Sequence, residues 1–293
     1  MPAPSPARKL YLLAERHRAP RAQIIGAVAE RLARDLGAPV PAALAALHPE
    51  QLSTACRSEF DALFDRHPLA AHDDPLGWVI EALEGRRAHR TTHQTPPALV
   101  RLMLDLAGDV TGTVYDPAAG TGALLLAAAA RNPGVTLVGQ EIDPVSHACA
   151  AINAELAGIE INLGRPGDTL SEPQHPALAA DLVLANPPWK RLTNRAWVEH
   201  CLSALTADGR AVLLLPASVC TDQQGGLDKL SQATHYIGTA PPSRCSPARP
   251  IQGHRSAWRD LDDRTRCPGG RRADGRRAQL GRRSATRWCA CER

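Results

Sequence analysis

The chain has 293 residues, 44% of them apolar and 22% charged, with a formal net charge of +4, so it is long enough to bury a sizeable core without staples. No apolar run approaches the roughly 18 residues of a membrane span and no apolar leader opens the chain, so neither a membrane-spanning nor an exported protein is expected. Of the eight cysteines four lie beyond Pro241, while Cys56, Cys149, Cys201 and Cys220 are scattered without metal-ligand pairing and read as free thiols of a cytoplasmic protein.

Residues 1–90 read as a small helical N-terminal region. Ile24, Ile25, Val28, Leu32 and Leu36 recur at helical spacing over Ala22–Leu36, and further helix-like stretches follow at Ala42–Leu47, Glu50–Phe64 and Pro75–Leu83. Arg16, Arg18 and Arg21 fit a solvated face as well as a DNA contact.

From residue 91 the pattern changes to strands alternating with helices. Thr95 is placed to cap a helix with Pro96 at its first position, and Leu99, Met103 and Leu106 beside Val100, Leu104 and Ala107 give it one apolar stripe. The free start of such a helix favours an anion, although an ordinary core helix has the same pattern. The β-prone Thr113-Val114 then leads into Tyr115-Asp116-Pro117-Ala118-Ala119-Gly120-Thr121-Gly122 and the apolar helix Ala123–Ala130. Gly120 and Gly122 would let a ligand approach the backbone at this strand-to-helix turn, which read alone is also an ordinary tight turn.

A second strand, Val135–Ile142, carries Glu141 at its end, about 25 residues beyond Asp116, where folds of this kind grip a nucleoside ribose. Helix Pro144–Ala157 and a third strand, Ile159–Leu163, lead to Gly167-Asp168-Thr169-Leu170, in which Asp168 is either an acceptor for an adenine amino group or a solvated loop acid. The run Ala180–Ala185 ends in Asn186-Pro187-Pro188-Trp189, followed by helix Arg195–Thr206 and strand Gly209–Pro216. The whole predicts an α/β, Rossmann-like fold: a parallel doubly wound sheet with its site at the strand C-termini, where Asp116, Glu141, Asp168 and Asn186 all fall.

The Asn-Pro-Pro-Trp segment has a specific chemical use. An exocyclic amino group on a nucleobase is a poor nucleophile because its lone pair is delocalised into the ring, and two acceptors on its N–H bonds draw that density back. The Asn186 side-chain oxygen and the Pro187 carbonyl, set by the Pro187 and Pro188 rings, supply two such acceptors. Trp189 offers a face for a flipped base, a contact worth roughly 1–3 kcal/mol, which offsets part of the few kcal/mol needed to pull the base from a duplex. A proline turn ending a buried strand is the competing reading of the tetrapeptide alone.

Taken together in this order, the segments from about Thr91 to Pro216 resemble the N6-adenine DNA methyltransferases, particularly the modification subunits of type I restriction systems. The resemblance implies that Asp116, Pro117, Ala119, Gly120 and Gly122 form the S-adenosylmethionine loop on the methionine side. It further implies that Thr95 touches the methionine carboxylate, Glu141 holds the ribose, Ile142 packs on the cofactor adenine and Asp168 reads its amino group. Asn186, Pro187, Pro188 and Trp189 would be catalytic, and asparagine rather than serine at 186 favours adenine. No metal is implied. DNA is the implied substrate, chosen by a separate specificity subunit or a lost target-recognition domain. A glutamine amide in a protein or a base in RNA is an alternative acceptor, since those methyltransferases also use Asn-Pro-Pro-aromatic.

Residues 232–293, after the 91–231 core, form a tail of different character. Pro241–Arg293 holds 14 arginines, no lysine and five acids, a net of +9. Ile251, Leu261 and Leu280 alone represent Leu, Ile, Val and Phe there, far below the roughly 20% at which a segment folds. Such a tail binds phosphates or is disordered, and its abrupt onset is also what an altered reading frame would produce. The reading expects the last two strands of the sheet to be missing, a bare apolar edge on Gly209–Pro216, and an inactive truncated fragment as the rival to an active enzyme.

Overall fold

A computed structural model describes residues 5–84, 94–189 and 193–216, with the backbone alone of Thr234–Thr239 and Trp288–Cys291. Among the described residues four α-helices form the N-terminal region: α1 (Pro6–His17), α2 (Arg21–Leu36), α3 (Thr54–Arg66) and α4 (Pro75–Glu84). The α1 helix, which apolar periodicity from Ala22 onward misses, is signalled by Ser5, whose hydroxyl accepts from Arg8 N–H, and by Pro6 in its first turn. Ala42–Leu47 is a 3-10 segment rather than an α-helix, and α3 begins at Thr54, where Ser53 caps it by accepting from Cys56 N–H.

The sheet domain runs α5 (Pro97–Ala107), β1 (Thr113–Asp116), α6 (Ala123–Arg131), β2 (Thr136–Gly139), α7 (Pro144–Ala157), β3 (Ile161–Asn162), β4 (Ala180–Ala185), α8 (Asn194–Ser203) and β5 (Leu205–Pro216). Strand order is β3-β2-β1-β4-β5, all parallel, the doubly wound arrangement expected of strands joined by helical crossovers. Side chains alternate across it with period two. Val114, Leu137, Leu182, Leu184, Val212 and Leu214 pack with α5 and α6, while Tyr115, Val138, Val183, Ala185, Ala211 and Leu213 face the side that α8 covers. Both faces are therefore buried, which is why these strands read as continuous apolar runs.

Two further strands correct the expectation that the sheet stops at β5. β6 (Thr234–Thr239) pairs parallel with β5 from Ala211↔Thr234 to Pro216↔Thr239, and β7 (Trp288–Cys291) pairs antiparallel with β6. Pairing uses backbone groups that any short extended segment supplies, so the low apolar content around these strands does not forbid them. β5 consequently has a neighbour instead of a bare edge. It also starts earlier than expected: Leu205 pairs with Ala180, and Thr206–Gly209 fall in a register shift before Arg210 pairs with Leu182. The remainder of the arginine-rich tail, and the altered-frame reading with it, lies outside the described residues.

The helical region is joined to the sheet domain by a common core. Leu10, Ile24, Ile25, Val28, Phe60, Phe64, Leu76 and Ile80 cluster with Ala148, Cys149 and Ile152 of α7. Arg21 adds ion pairs to Glu84 at 3.3 Å and to Asp143 at 2.9 Å, and the Glu155 carboxylate accepts from the N–H groups of Ala42 and Ala43. Arg16 pairs with Glu59 at 2.7 Å.

Candidate cofactor and acceptor site at the switch point

In a doubly wound sheet the crossovers leave β1 and β4 in opposite directions, so a crevice opens between their C-terminal ends. Asp116 is the last residue of β1, and Asn186 follows β4 directly. Glu141 lies two residues past β2, and Asp168 lies in the loop between β3 and β4. The four sequence-derived polar residues thus converge on one edge.

The glycine loop is built around carboxylates. Asp116 is 1% exposed and accepts from Ala118 N–H at 3.0 Å. Glu141 accepts from Gly120 N–H and from Asp143 N–H, both at 2.8 Å, so it clamps the loop to the end of β2. Gly120 has φ +56° and Gly122 φ +82°, and a Cβ built on Gly120 would point into open space. Backbone conformation, and not crowding, therefore requires glycine at 120. Gly122 N-caps α6. Pro117 and Ala119 are buried beneath the turn, and Ile142 stands 60% exposed beside it.

Burial dominates the electrostatics. It pushes the Asp116 carboxyl up to about 7, helped by the nearby Glu141 and opposed by the Ala118 N–H. Glu141 is likewise raised by burial, against the donors Asp143 and Gly120.

The Asp168 loop is fixed from behind by residues that sequence reading passes over. Gln140, fully buried, donates to the carbonyls of Gly167 (3.3 Å) and Glu172 (2.9 Å) and accepts from Gln174 N–H at 3.1 Å. The Thr169 hydroxyl donates to Pro117 carbonyl oxygen at 2.6 Å, tying this loop to the glycine loop. Asp168 itself accepts from Leu170 N–H at 3.0 Å through one oxygen. No periodicity marks a glutamine in such a role, because its partners are backbone groups distant in sequence.

Thr95 is not the helix cap expected of it. Pro96 is the N-cap and Pro97 the first helical residue, with the N–H groups of Leu99 and Val100 donating to the Pro96 carbonyl. The reason is local: Pro97 disfavours helical geometry at the residue before it, and Pro96 accordingly has ψ 144°, so the helix begins one residue later. Thr95 instead accepts from Asn186 Nδ2 at 3.1 Å. That bond orients the amide at the C-terminal end of β4. The buried stripe of α5 is Val100, Met103, Leu104 and Ala107, with Leu106 left 36% exposed at its edge.

Beyond Asn186, Pro187 is buried, Pro188 exposed and Trp189 half-buried against the apolar layer that also contains Val183 and Val198. The Trp189 Nε1 is buried with no hydrogen-bond partner among the described residues. Among the described residues no group of three or more His, Cys, Asp or Glu is placed to hold a metal ion, and no helix is long and apolar enough to cross a membrane.

Sheet order defines a class, the open doubly wound α/β domains, whose ligand sites lie at the switch point. The family profile described as N-6 DNA Methylase matches residues 72–195 of the chain. The chain is 27% identical over 197 residues to the type I restriction enzyme HindI methylase subunit of Haemophilus influenzae, covering 55% of this chain and 44% of that protein. It is 30% identical over 132 residues to the MjaVIII methylase subunit of Methanocaldococcus jannaschii, covering 40% of this chain and 23% of the relative. The chain thus spans less than half the length of either. A solved type I restriction-modification methyltransferase subunit from Streptococcus thermophilus aligns at 26% identity and a TM-score of 0.45, over 59% of this chain and 46% of that one.

Proposed function

We propose that this chain carries the catalytic core of an S-adenosylmethionine-dependent methyltransferase that modifies the N6 amino group of adenine in DNA, as the modification component of a restriction-modification system in the cytoplasm. The observation that carries the reading is the Asn186 amide, set at the β4 end of the crevice by Thr95, across from a glycine loop clamped by Glu141.

The residues present fit the cofactor. Gly120 leaves open space where a side chain would stand, and the Glu141 carboxylate, engaged by two N–H groups, retains lone pairs for ribose hydroxyls. Ile142 offers an exposed apolar face to a purine, with Asp168 on the neighbouring loop as acceptor for its amino group. When bound, S-adenosylmethionine would supply a methyl group activated by a positively charged sulfur.

The chain's own work is positioning and electrostatics. The Asn186 Oδ1 and the Pro187 carbonyl accept hydrogen bonds from the two N–H groups of the target amine, concentrating electron density on the nitrogen, and Trp189 packs against the base plane. Choice of DNA sequence rests with a separate specificity subunit or a target-recognition domain outside this span. The direct test is transfer of labelled methyl groups to DNA, RNA and protein by wild type and Asn186→Ala. Labelling of DNA that the substitution reduces at least about 100-fold, with cofactor binding retained, is expected; labelling of RNA or protein alone overturns the substrate, and undiminished labelling overturns the role of Asn186.

A further inference from the structure

We propose that Asp74, in the N-terminal helical region, is a positioning residue for the cofactor loop, acting through Thr121; the inference rests on the cofactor reading above. Thr121 sits between Gly120 and Gly122, both at positive φ, and is 1% exposed. It is the side chain through which this part of the loop can be anchored, since its neighbours have none. Its hydroxyl donates to Asp74 Oδ2 at 2.5 Å, while Asp74 Oδ1 accepts from Gly77 N–H at 2.9 Å and so caps α4. One carboxylate therefore starts a helix of the N-terminal region with one oxygen and holds the glycine loop with the other.

Two further contacts make this a junction. Asn153 of α7 donates to the Thr121 carbonyl at 3.0 Å. The Gln94 side-chain oxygen lies 3.2 Å from the Thr121 hydroxyl; that hydroxyl has one proton, given to Asp74 over the shorter distance, so the Gln94 amide turned to present its nitrogen would donate to the same oxygen. Gln94 adjoins Thr95, which accepts from Asn186. Asp74, Thr121 and the 94–95 segment thus link three parts of the site: the α4 head, the loop that would face the cofactor and the side chain that would face the acceptor base. Gly77 permits the arrangement, because a Cβ there would meet Asp74 Oδ2 at 2.2 Å.

The test uses the full chain, with Thr121→Val, Thr121→Ser and Asp74→Asn. Valine removes the hydroxyl at nearly constant volume and leaves the α4 cap intact; asparagine keeps a capping oxygen and removes the charge. Calorimetric titration with S-adenosylmethionine is expected to show Kd weakened about tenfold by Thr121→Val, as for loss of one buried hydrogen bond to a charged group, with near wild-type binding for Thr121→Ser and a smaller effect for Asp74→Asn. Combined with Asp74→Asn, the valine change is expected to cost less than alone. Native-state hydrogen exchange of the Gly120 and Gly122 amides, measured without cofactor, is expected to accelerate about tenfold in Thr121→Val at unchanged melting temperature. Wild-type affinity in a folded Thr121→Val overturns the proposal, as does unchanged exchange. Failure of the wild type to bind S-adenosylmethionine overturns the cofactor reading, and exchange still decides whether Asp74 and Thr121 hold the loop. Should valine prevent folding, Asp74→Asn with the same two measurements decides.

Discussion

Asn186 and Asp116 illustrate how much of this site is decided by single groups. At Asn186 the Nδ2 donates to the Thr95 hydroxyl, so Asn186→Asp, which lacks that donor and adds a charge, is expected to lose transfer as fully as Asn186→Ala, checked by labelled methyl transfer. Asp116 gives a pH prediction. Its folded carboxyl is raised from 3.8 to about 7 by burial, so between those values the folded state holds a proton that the unfolded state has released. The stabilisation from the protonated group is fully present below about pH 4 and is lost as pH rises through about 7. Asp116→Asn, which retains the oxygen that accepts from Ala118 N–H, is therefore expected to flatten the fall in melting temperature across that window. An unchanged pH profile would exclude Asp116 as its source. Asn186 and Asp116 were legible in the sequence because each ends or follows a recognisable strand, whereas the roles of Gln140, Thr121 and Asp74 were not, since Gln140 meets Gly167 across 27 residues and Thr121 meets Asp74 across 47.

At the scale of elements, strand and helix identity follows from periodicity, and the exceptions have local causes. The helix at Pro97 starts one residue late because Pro97 holds the preceding Pro96 in extended geometry. β5 begins at Leu205 because a register shift against β4 absorbs Thr206–Gly209, and a Cβ at Gly209 would come within 2.6 Å of the Ala180 carbonyl oxygen. Gly112, which precedes β1, has φ +84°, and a Cβ there would lie 2.0 Å from the Asp181 carboxylate that accepts from Thr113 N–H at 2.8 Å. Gly112→Ala thus meets both backbone strain and a displaced hydrogen bond. It is expected to destabilise the protein by about 2 kcal/mol, measured by denaturant titration, and a neutral result would show that the turn relaxes freely.

Across the whole molecule, the N-terminal helices and the sheet domain share the cluster that holds Leu10, Ile25, Phe60 and Ile80 with Cys149 and Ile152 of α7. Ile152 is fully buried there, and Ile152→Ala is expected to cost about 2–5 kcal/mol while residues 5–84 and the sheet domain still unfold together. Scanning calorimetry with hydrogen exchange tests this: two separated transitions would mean the halves are energetically independent. The same joint explains why α4 can present Asp74 to the glycine loop at a defined distance, since a loosely tethered appendage would hold no such geometry.

What the sequence determined by itself is local and periodic: the order of strands and helices, the apolar alternation that buries both sheet faces, the glycine turn, the acids at strand ends and the Asn-Pro-Pro-Trp segment. Each is set by neighbours within a few residues, where φ restriction, capping and side-chain period act directly. Tertiary structure alone decided the pairing of Asn186 with Thr95, the clamp of Glu141 on Gly120, the placement of β6 and β7, and the reach of Asp74 from the helical region into the loop. Those contacts join residues far apart in the chain, and their geometry exists only once the sheet's crossovers and the shared core on α7 have fixed where each segment lies.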